Sequence, residues 1–401
     1  MPQDFVLRND STESKGLHYI STALVMKTEK IKKILVVMLG GIGDMILLTP
    51  ALKALRKEFP ESHLALLSEP DGAKEVVEGS RLVDEIILRE KGFFKLLGSL
   101  RRKRFDSVIA ATGMNPVKTG LLALFIGAKH RLGEDIKGKG YFYNLKINYD
   151  ENLHEVEGNI RLVERLGLKV EDKNLFIRIT EEDREFSSNF LRSQNIKEDN
   201  LLYGISKLPP PISGGSTPLE GVLIPPDGGE GCDLIIGIHP GSGIYQANFR
   251  RWFPERFARV ADRLIKTYNA QVIIFGGKQE ISLAERVASL MKKNPIIAAG
   301  KTTLGETAAL IERCNLFITN DSGLMHIACA VKTPVVAIFG PTDYRKTGPY
   351  SINSAIIRKN LPCSPCYQRG KVKCKELDCF KLITVEEVLE AAERVLGKIV
   401  G

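Results

Sequence analysis

The sequence predicts an α/β protein of two Rossmann-like domains facing a central cleft. Three observations carry this expectation. Short apolar segments alternate with helical patterns over residues 34–132 and again over 234–339, the pattern of open parallel sheets covered by helices. A stretch rich in proline and glycine, 208–231, separates the two regions and can sustain neither a helix nor a central strand. The chain has 401 residues, enough for two domains with cores of their own. The expected boundaries are a flexible extension over 1–30, a first domain over 31–205, a linker or loop over 206–232, a second domain over 233–383 and a terminal helix over 384–401.

In the first region, strands are expected over 34–39, 63–67, 85–88, 107–111 and near 129–132. Helical patterns cover 45–59, 74–78, 94–102 and 118–126. Pro50 interrupts the first helix, so either Thr49 caps a new helix with Pro50 at its first position or the helix kinks there. Two amphipathic segments follow, 154–166 and 181–194, the first with Ile160, Val163 and Leu166 at helical spacing. In the second region, strands are expected over 234–239, 272–275, 296–299, 316–319 and 334–339, with helices over 257–268, 282–291, 307–314 and 324–331. Thr384 and Glu387 form a capping box for the last helix.

The composition is that of a soluble globular protein, 43% hydrophobic and 26% charged. A net charge of +9 and a pI near 9.0 suggest an anionic partner: a nucleotide, a nucleic acid or an acidic membrane surface. No segment reads as a secretory signal and no run reaches the ~18 apolar residues of a spanning helix. A cytosolic protein is therefore expected. Its seven cysteines are then thiols or metal ligands rather than disulfides.

Six constellations carry chemistry. The loop after the first strand is Gly40-Gly41-Ile42-Gly43-Asp44. Read as a dinucleotide fingerprint it requires a small residue where Ile46 stands, which disfavours a nicotinamide oxidoreductase. The other functional reading has glycines such as Gly41 and Gly43 clear backbone space and aim Asp44 into the cleft, where a carboxylate can take a proton from a hydroxyl. Asp44 as a simple helix cap is the structural alternative.

The second constellation is His239-Pro240-Gly241-Ser242-Gly243 with Arg250 and Arg251. A small-residue turn at a strand end can approach a phosphate closely, and guanidinium groups bind diphosphate oxygens in forked geometry. Third, Glu280 follows Phe275-Gly276-Gly277, where a carboxylate can meet ribose hydroxyls or simply complement a helix N-terminus. A fourth feature belongs with these: Asp321, Ser322, Gly323, Leu324 and His326 open a short helix between two apolar strands. Backbone N–H groups at such a helix start, aided by the helix dipole, suit an anion.

These motifs occur in the order seen in glycosyltransferase family 9, the ADP-heptose:lipopolysaccharide heptosyltransferases. The resemblance rests on Gly43-Asp44-x-x-Leu47-x-x-Pro50, His239-Pro240-Gly241, Arg250-Arg251-Trp252, Asp321-Ser322-Gly323-x-x-His326 and Phe339-Gly340-Pro341-Thr342-Asp343. It implies a GT-B fold and an inverting transfer that requires no metal or cofactor. Asp44 resembles the family's catalytic base, and Asp321, Ser322, Gly323 and His326 its donor-contacting loop. Glu280 resembles a residue near the donor ribose. Arg250 stands where the family usually has Lys, and Phe253 intrudes between Trp252 and Pro254, so the phosphate clamp falls to either Arg250 or Arg251. The implied partners are ADP-heptose and a lipid A-core acceptor at the inner face of the inner membrane, met by a peripheral enzyme. The same fold with another nucleotide sugar, or a non-catalytic nucleotide-binding module, remains open on this reading.

Two further clusters stand apart. Cys363, Cys366, Cys374 and Cys379 lie within 17 residues and are read as a structural zinc site, as free or redox-active thiols, or as disulfides. Arg101-Arg102-Lys103-Arg104, with Lys118, Lys137 and Lys139, is either a surface for an anionic lipid-linked acceptor or a solvated helix end. No motif for RNA or DNA is present, and no nucleic-acid partner is expected.

Overall fold

In a computed structural model, residues 31–70, 73–89, 92–196, 234–243, 247–367, 374 and 376–400 are described. The expected extension over 1–30 and the linker over 206–232 lie outside the described residues.

The first sheet has six parallel strands: β1 (Lys33–Met38), β2 (His63–Ser68), β3 (Glu85–Leu88), β4 (Ser107–Ala110), β5 (His130–Asp135) and β6 (Leu145–Asn148). Their spatial order is β3-β2-β1-β4-β5-β6. Helix α1 (Ile42–Glu58) follows β1, α2 (Phe93–Lys103) follows β3, α3 (Pro116–Ile126) follows β4, and α4 (Glu155–Glu164) follows β6. Alternation along β1 decides the layers. Ile34, Val36 and Met38 enter the core shared with α1 and α4, whereas Leu35 and Val37 pack under Leu96 and Leu100 of α2 and Leu122 and Ile126 of α3. Helix α5 (Glu181–Ser193) ends this half of the chain.

The second sheet repeats the plan with β7 (Ile235–His239), β8 (Gln271–Ile274), β9 (Ile296–Ile297), β10 (Leu316–Asn320), β11 (Val335–Ile338) and β12 (Ser354–Ile357). The order β12-β11-β10-β7-β8-β9 is the same doubly wound topology. Its helices are α6 (Pro254–Tyr268), α7 (Ile281–Leu290), α8 (Leu304–Glu312), α9 (Gly323–Ala330), the short α10 (Tyr344–Thr347) and α11 (Asp378–Lys381), and the terminal α12 (Val385–Val400). One apolar core runs through both domains, joining Met45 and Ile160 to Phe317 and Met325. Helix α9 packs on α1 and α5 packs on α8. The pair Arg184–Glu312 ties α5 to the second domain.

Several expectations are corrected. The first helix begins at Ile42 and runs unbroken past Pro50. Proline at 50 removes the hydrogen bond that Ile46 O would accept, and the Thr49 hydroxyl donates to that carbonyl instead, at 2.6 Å. Thr49 Oγ1 also accepts the Phe176 N–H at 2.9 Å, so the proline site is a junction rather than a break. Residues 74–78 form only a short 3₁₀ turn, Ala73–Val76. Edge strands β6 and β12 are additions to the expected sheets.

Candidate functional site

In a doubly wound sheet, ligands bind beyond the carboxyl ends of the strands where the strand order reverses. Here that crevice opens between β1 and β4 in one domain and between β7 and β10 in the other. The candidate residues of the first three constellations and of the α9 start all fall at these two places or beside them.

On the first wall, Gly41 caps α1 and Asp44 is its third residue. Asp44 is not the cap itself. Its Oδ2 accepts the Gly41 N–H at 2.7 Å, which fixes the carboxylate at the cleft edge. The side chain is open to the cleft, yet both domains crowd around it. That desolvation raises its pKa; the Gly41 N–H opposes the shift, the Asp321 charge adds to it and Arg250 offsets part of it. A carboxylate held in this way is a better base than an ordinary aspartate.

On the facing wall, Ser322 caps α9 with its Oγ accepting the Met325 N–H at 3.3 Å. The helix start thus sits at the second switch point, as the sequence indicated. Leu324 is half-buried and packs against the shared core. Arg250 Nη2 donates to Asp321 Oδ2 at 2.8 Å. His326 is buried and its Nδ1 has no hydrogen-bond partner. Burial lowers its pKa to about 4, so the imidazole is neutral at pH 7. Arg250 Nε and Arg251 Nε are likewise buried without partners. Buried polar atoms left without partners at a strand-end crevice are what a polar ligand would complete.

The two walls meet through glycine. A Cβ on Gly43 would lie 2.7 Å from His326 Cδ2, and one on Gly323 would lie 3.4 Å from Ile42 Cβ. Only hydrogen at Gly43 lets α1 and α9 approach end to end.

The remaining donor-side residues form a rigid support. Glu280 Oε2 accepts from Gly277 N at 3.1 Å and pairs with His239 Nε2 at 3.0 Å, while Oε1 accepts from Ser242 N and Arg251 Nη2, both at 3.1 Å. Burial alone would raise its pKa, but His239, the Gly277 N–H and Arg251 outweigh this and hold Glu280 at about 2. Both of its oxygens are therefore occupied, and a ribose would have to share them. Gly241 is obligatory here, since a Cβ would fall 1.9 Å from Glu280 Oε1. Arg250 and Arg251 thus divide: Arg250 faces Asp321 and the cleft, and Arg251 backs Glu280.

Sequence reasoning missed Asn320. Its Nδ2 donates to Pro240 O at 2.9 Å and Gly241 O at 3.1 Å, and its Oδ1 accepts the Trp252 N–H at 3.0 Å. One buried amide therefore locks three loops. Its place at the end of a strand, just before Asp321, was the available signal. Also missed was a small hollow, open to solvent. Glu134, His154, Glu155 and Arg161 line it from the first domain and Lys346 from the second. Burial raises Glu134 to about 7, despite the Gly113 N–H that it accepts at 3.0 Å. Burial also raises Glu155, which feels the charge of Asp44.

The cysteine segment runs beside the donor wall: the Cys366 and Tyr367 N–H groups donate to Pro341 O, and Arg250 stacks on the Tyr367 ring at 4.9 Å. Burial first, then the nearby Cys374, Cys366 and Cys363, push Cys379 to about 11. Among the described residues, no group of three or more His, Cys, Asp or Glu side chains is arranged to hold a metal ion. Among the same residues, no helix is long and apolar enough to cross a membrane.

Two doubly wound domains with a base-like carboxylate on one wall and an anion-receptive helix start on the other define the GT-B class. Residues 93–376 match the model of glycosyltransferase family 9 (heptosyltransferase), and the chain belongs to that family. A Campylobacter jejuni lipooligosaccharide heptosyltransferase 2 is 35% identical over 167 residues, which are 40% of this chain and 51% of that protein's length. The family 9 glycosyltransferase of Veillonella parvula superposes with a TM-score of 0.68 at 27% identity, covering 92% of this chain and 100% of the other. The Escherichia coli ADP-heptose lipopolysaccharide heptosyltransferase II superposes with a TM-score of 0.66 at 22% identity, covering 91% and 99%.

Proposed function

We propose that the protein transfers a heptose from ADP-heptose to an inner-core lipopolysaccharide acceptor, with inversion and without a catalytic metal. Its relatives' names, heptosyltransferases of lipooligosaccharide and lipopolysaccharide, support the substrate class. The observation that carries the chemistry is the apposition of Asp44 to Asp321, Arg250 and His326 across the cleft. Asp44 removes the acceptor proton as the hydroxyl attacks the anomeric carbon. The transition state is oxocarbenium-like, as in glycoside hydrolysis. The departing ADP gains negative charge, which the start of α9 and the Arg250 guanidinium stabilise. Neutral His326 contributes a hydrogen bond rather than a charge.

The acceptor approaches Asp44 past the hollow lined by Glu134, Glu155, Arg161 and Lys346, a reading supported by the charge of Asp44 felt at Glu155 and by a lining drawn from both domains. The carboxylates of the hollow suit hydroxyls and its cations suit phosphate or carboxylate substituents. The enzyme works as a peripheral protein at the membrane that holds this lipid.

The test is release of ADP from ADP-heptose in the presence of a heptose-deficient core lipid. Asp44→Asn is expected to lose about 10²–10⁴-fold in turnover while donor binding survives. Normal turnover in that variant removes Asp44 as the base. Tight donor binding without transfer to any core acceptor favours a nucleotide-binding module instead.

A structural zinc at Cys363, Cys366, Cys374 and Cys379 is a separate proposal. The influence of Cys363, Cys366 and Cys374 on Cys379 supports it; the sulfurs are not arranged as a ligand set, and no catalytic step passes through it. Stoichiometric zinc in protein purified under reducing conditions is the expected result. Metal-free protein in which all four thiols react with a thiol reagent removes the proposal.

A further inference from the structure

The outer face of the first domain combines apolar exposure with a strongly one-signed charge. Helices α2 and α3 cover the side of the sheet opposite α1 and α4, and so lie away from the cleft. Helix α2 turns Leu96 and Leu100 inward and leaves Phe93 46% and Phe94 85% exposed. Helix α3 buries Leu122 and Ile126 and leaves Leu124 41% and Phe125 42% exposed. The two helices pack together, and Arg101 Nη1 donates to Phe125 O at 3.1 Å, so the basic end of α2 adjoins the apolar end of α3.

The segment between β5 and β6 extends the same face. Tyr143 bonds the Thr119 hydroxyl of α3, and Phe142 packs on Gly120, which places this segment, with Lys137, Lys139 and exposed Tyr141, beside α3. Residues 93–133 carry eight lysines and arginines against a single acid, Asp106. That acid accepts the Lys32 and Lys33 N–H groups at 2.8 Å each. The exposed apolar side chains thus lie at both ends of the helix pair, Phe93 and Phe94 where α2 starts and Leu124 and Phe125 where α3 ends, with the basic end of α2 beside the second pair. An apolar set rimmed by cations is complementary to a bilayer with anionic headgroups.

We propose that the α2–α3 face is a membrane-docking surface, with Phe94 and Phe125 entering the headgroup–acyl boundary of an anionic bilayer and Arg101, Arg102 and Lys118 on its phosphates. The proposal rests on the functional reading only for its purpose, which is to bring the cleft to a lipid-linked acceptor. Docking here leaves the second domain free to close from the far side.

The experiment is flotation of the full chain with vesicles, without donor or acceptor, so that it reads docking whether or not transfer occurs. Vesicles of phosphatidylcholine alone are compared with vesicles containing about 30% phosphatidylglycerol. Binding to the anionic vesicles is expected, with loss in high salt. Phe94→Ser with Phe125→Ser is expected to reduce partitioning at least about tenfold, and Arg102→Glu with Lys118→Glu comparably. Transfer to a water-soluble, deacylated acceptor is expected to be unchanged in both. Failure of the parent chain to bind anionic vesicles, or binding by the double phenylalanine variant equal to the parent, overturns the proposal. A change of oligomeric state in that variant with unchanged partitioning assigns the patch to a protein partner and also overturns it.

Discussion

Gly43 and His326 come from different domains and touch: the His326 ring lies where a Gly43 side chain would begin, 2.7 Å from Cδ2 to an added Cβ. The contact joins the start of α1, which carries Asp44, to the α9 helix, which carries the anion-receptive end. Gly43→Ala should therefore hold the walls apart by a fraction of an ångström to an ångström. Misplacement on that scale costs about 10²-fold in rate. The expected result is a turnover reduced roughly 10–100-fold with donor affinity retained, read by separate equilibrium binding and steady-state assays. Equal loss of both points instead to a damaged donor site.

Arg250 and Arg251 are adjacent in sequence and separate in role. Arg250 pairs with Asp321 at the start of α9, whereas Arg251 pairs with Glu280, which is already braced by His239. Arg250→Ala is expected to lower turnover about 10²–10³-fold, as loss of a charged donor at a developing anion does. Arg250→Lys should recover part of this, because charge returns without the fork. Arg251→Ala should cost much less in turnover. A reversal of that order reassigns the clamp to Arg251.

Glu134 makes a prediction about stability and pH. Burial raises it from the ordinary value to about 7, so the fold prefers its neutral form. Between about pH 4.5 and 7 the unfolded chain releases this proton and the native protein keeps it. Stability therefore falls across that window and levels off above it. Glu134→Gln removes the penalty. It is expected to melt like the parent near pH 4.5 and to gain up to about 3 kcal/mol at pH 8, the full linkage of such a shift. A gain that does not vary with pH between 4 and 8 would falsify the assignment.

Much of this architecture was legible because it depends on local pattern. The strands feeding the site, β1, β7, β10 and β11, are continuous apolar runs ended by glycine or polar turns, as buried parallel strands are. Strands β6 and β12 escaped notice because both lie at sheet edges and are only partly apolar. Pro50 misled for a different reason: the hydroxyl that repairs the helix comes from its neighbour Thr49, and propensity rules do not count it. Asp44, Asp321 and His326 could be singled out by their loops. Their apposition crosses from one domain to the other, and the way Asn320 and Glu280 fix the surrounding turns arises from contacts 41 to 80 residues apart, none of which a window of sequence contains.

The last prediction concerns the proposed base and its neighbours. Asp44 is raised chiefly by burial and further by Asp321, and lowered by the Gly41 N–H and by Arg250. A base must be deprotonated to act, so turnover should fall on the acid side as pH drops through the Asp44 pKa, above the ordinary aspartate range. The neighbours should move that limb in opposite directions. Asp321→Asn removes a repelling charge and should shift it to lower pH. Arg250→Gln removes an attracting one and should shift it to higher pH. Both variants also weaken the donor site, so the quantity to read is the position of the limb at saturating donor, not its height. A limb that stays put in both variants means that the group titrating there is not Asp44. Glu155 would then be the next carboxylate to test, since it feels the charge of Asp44.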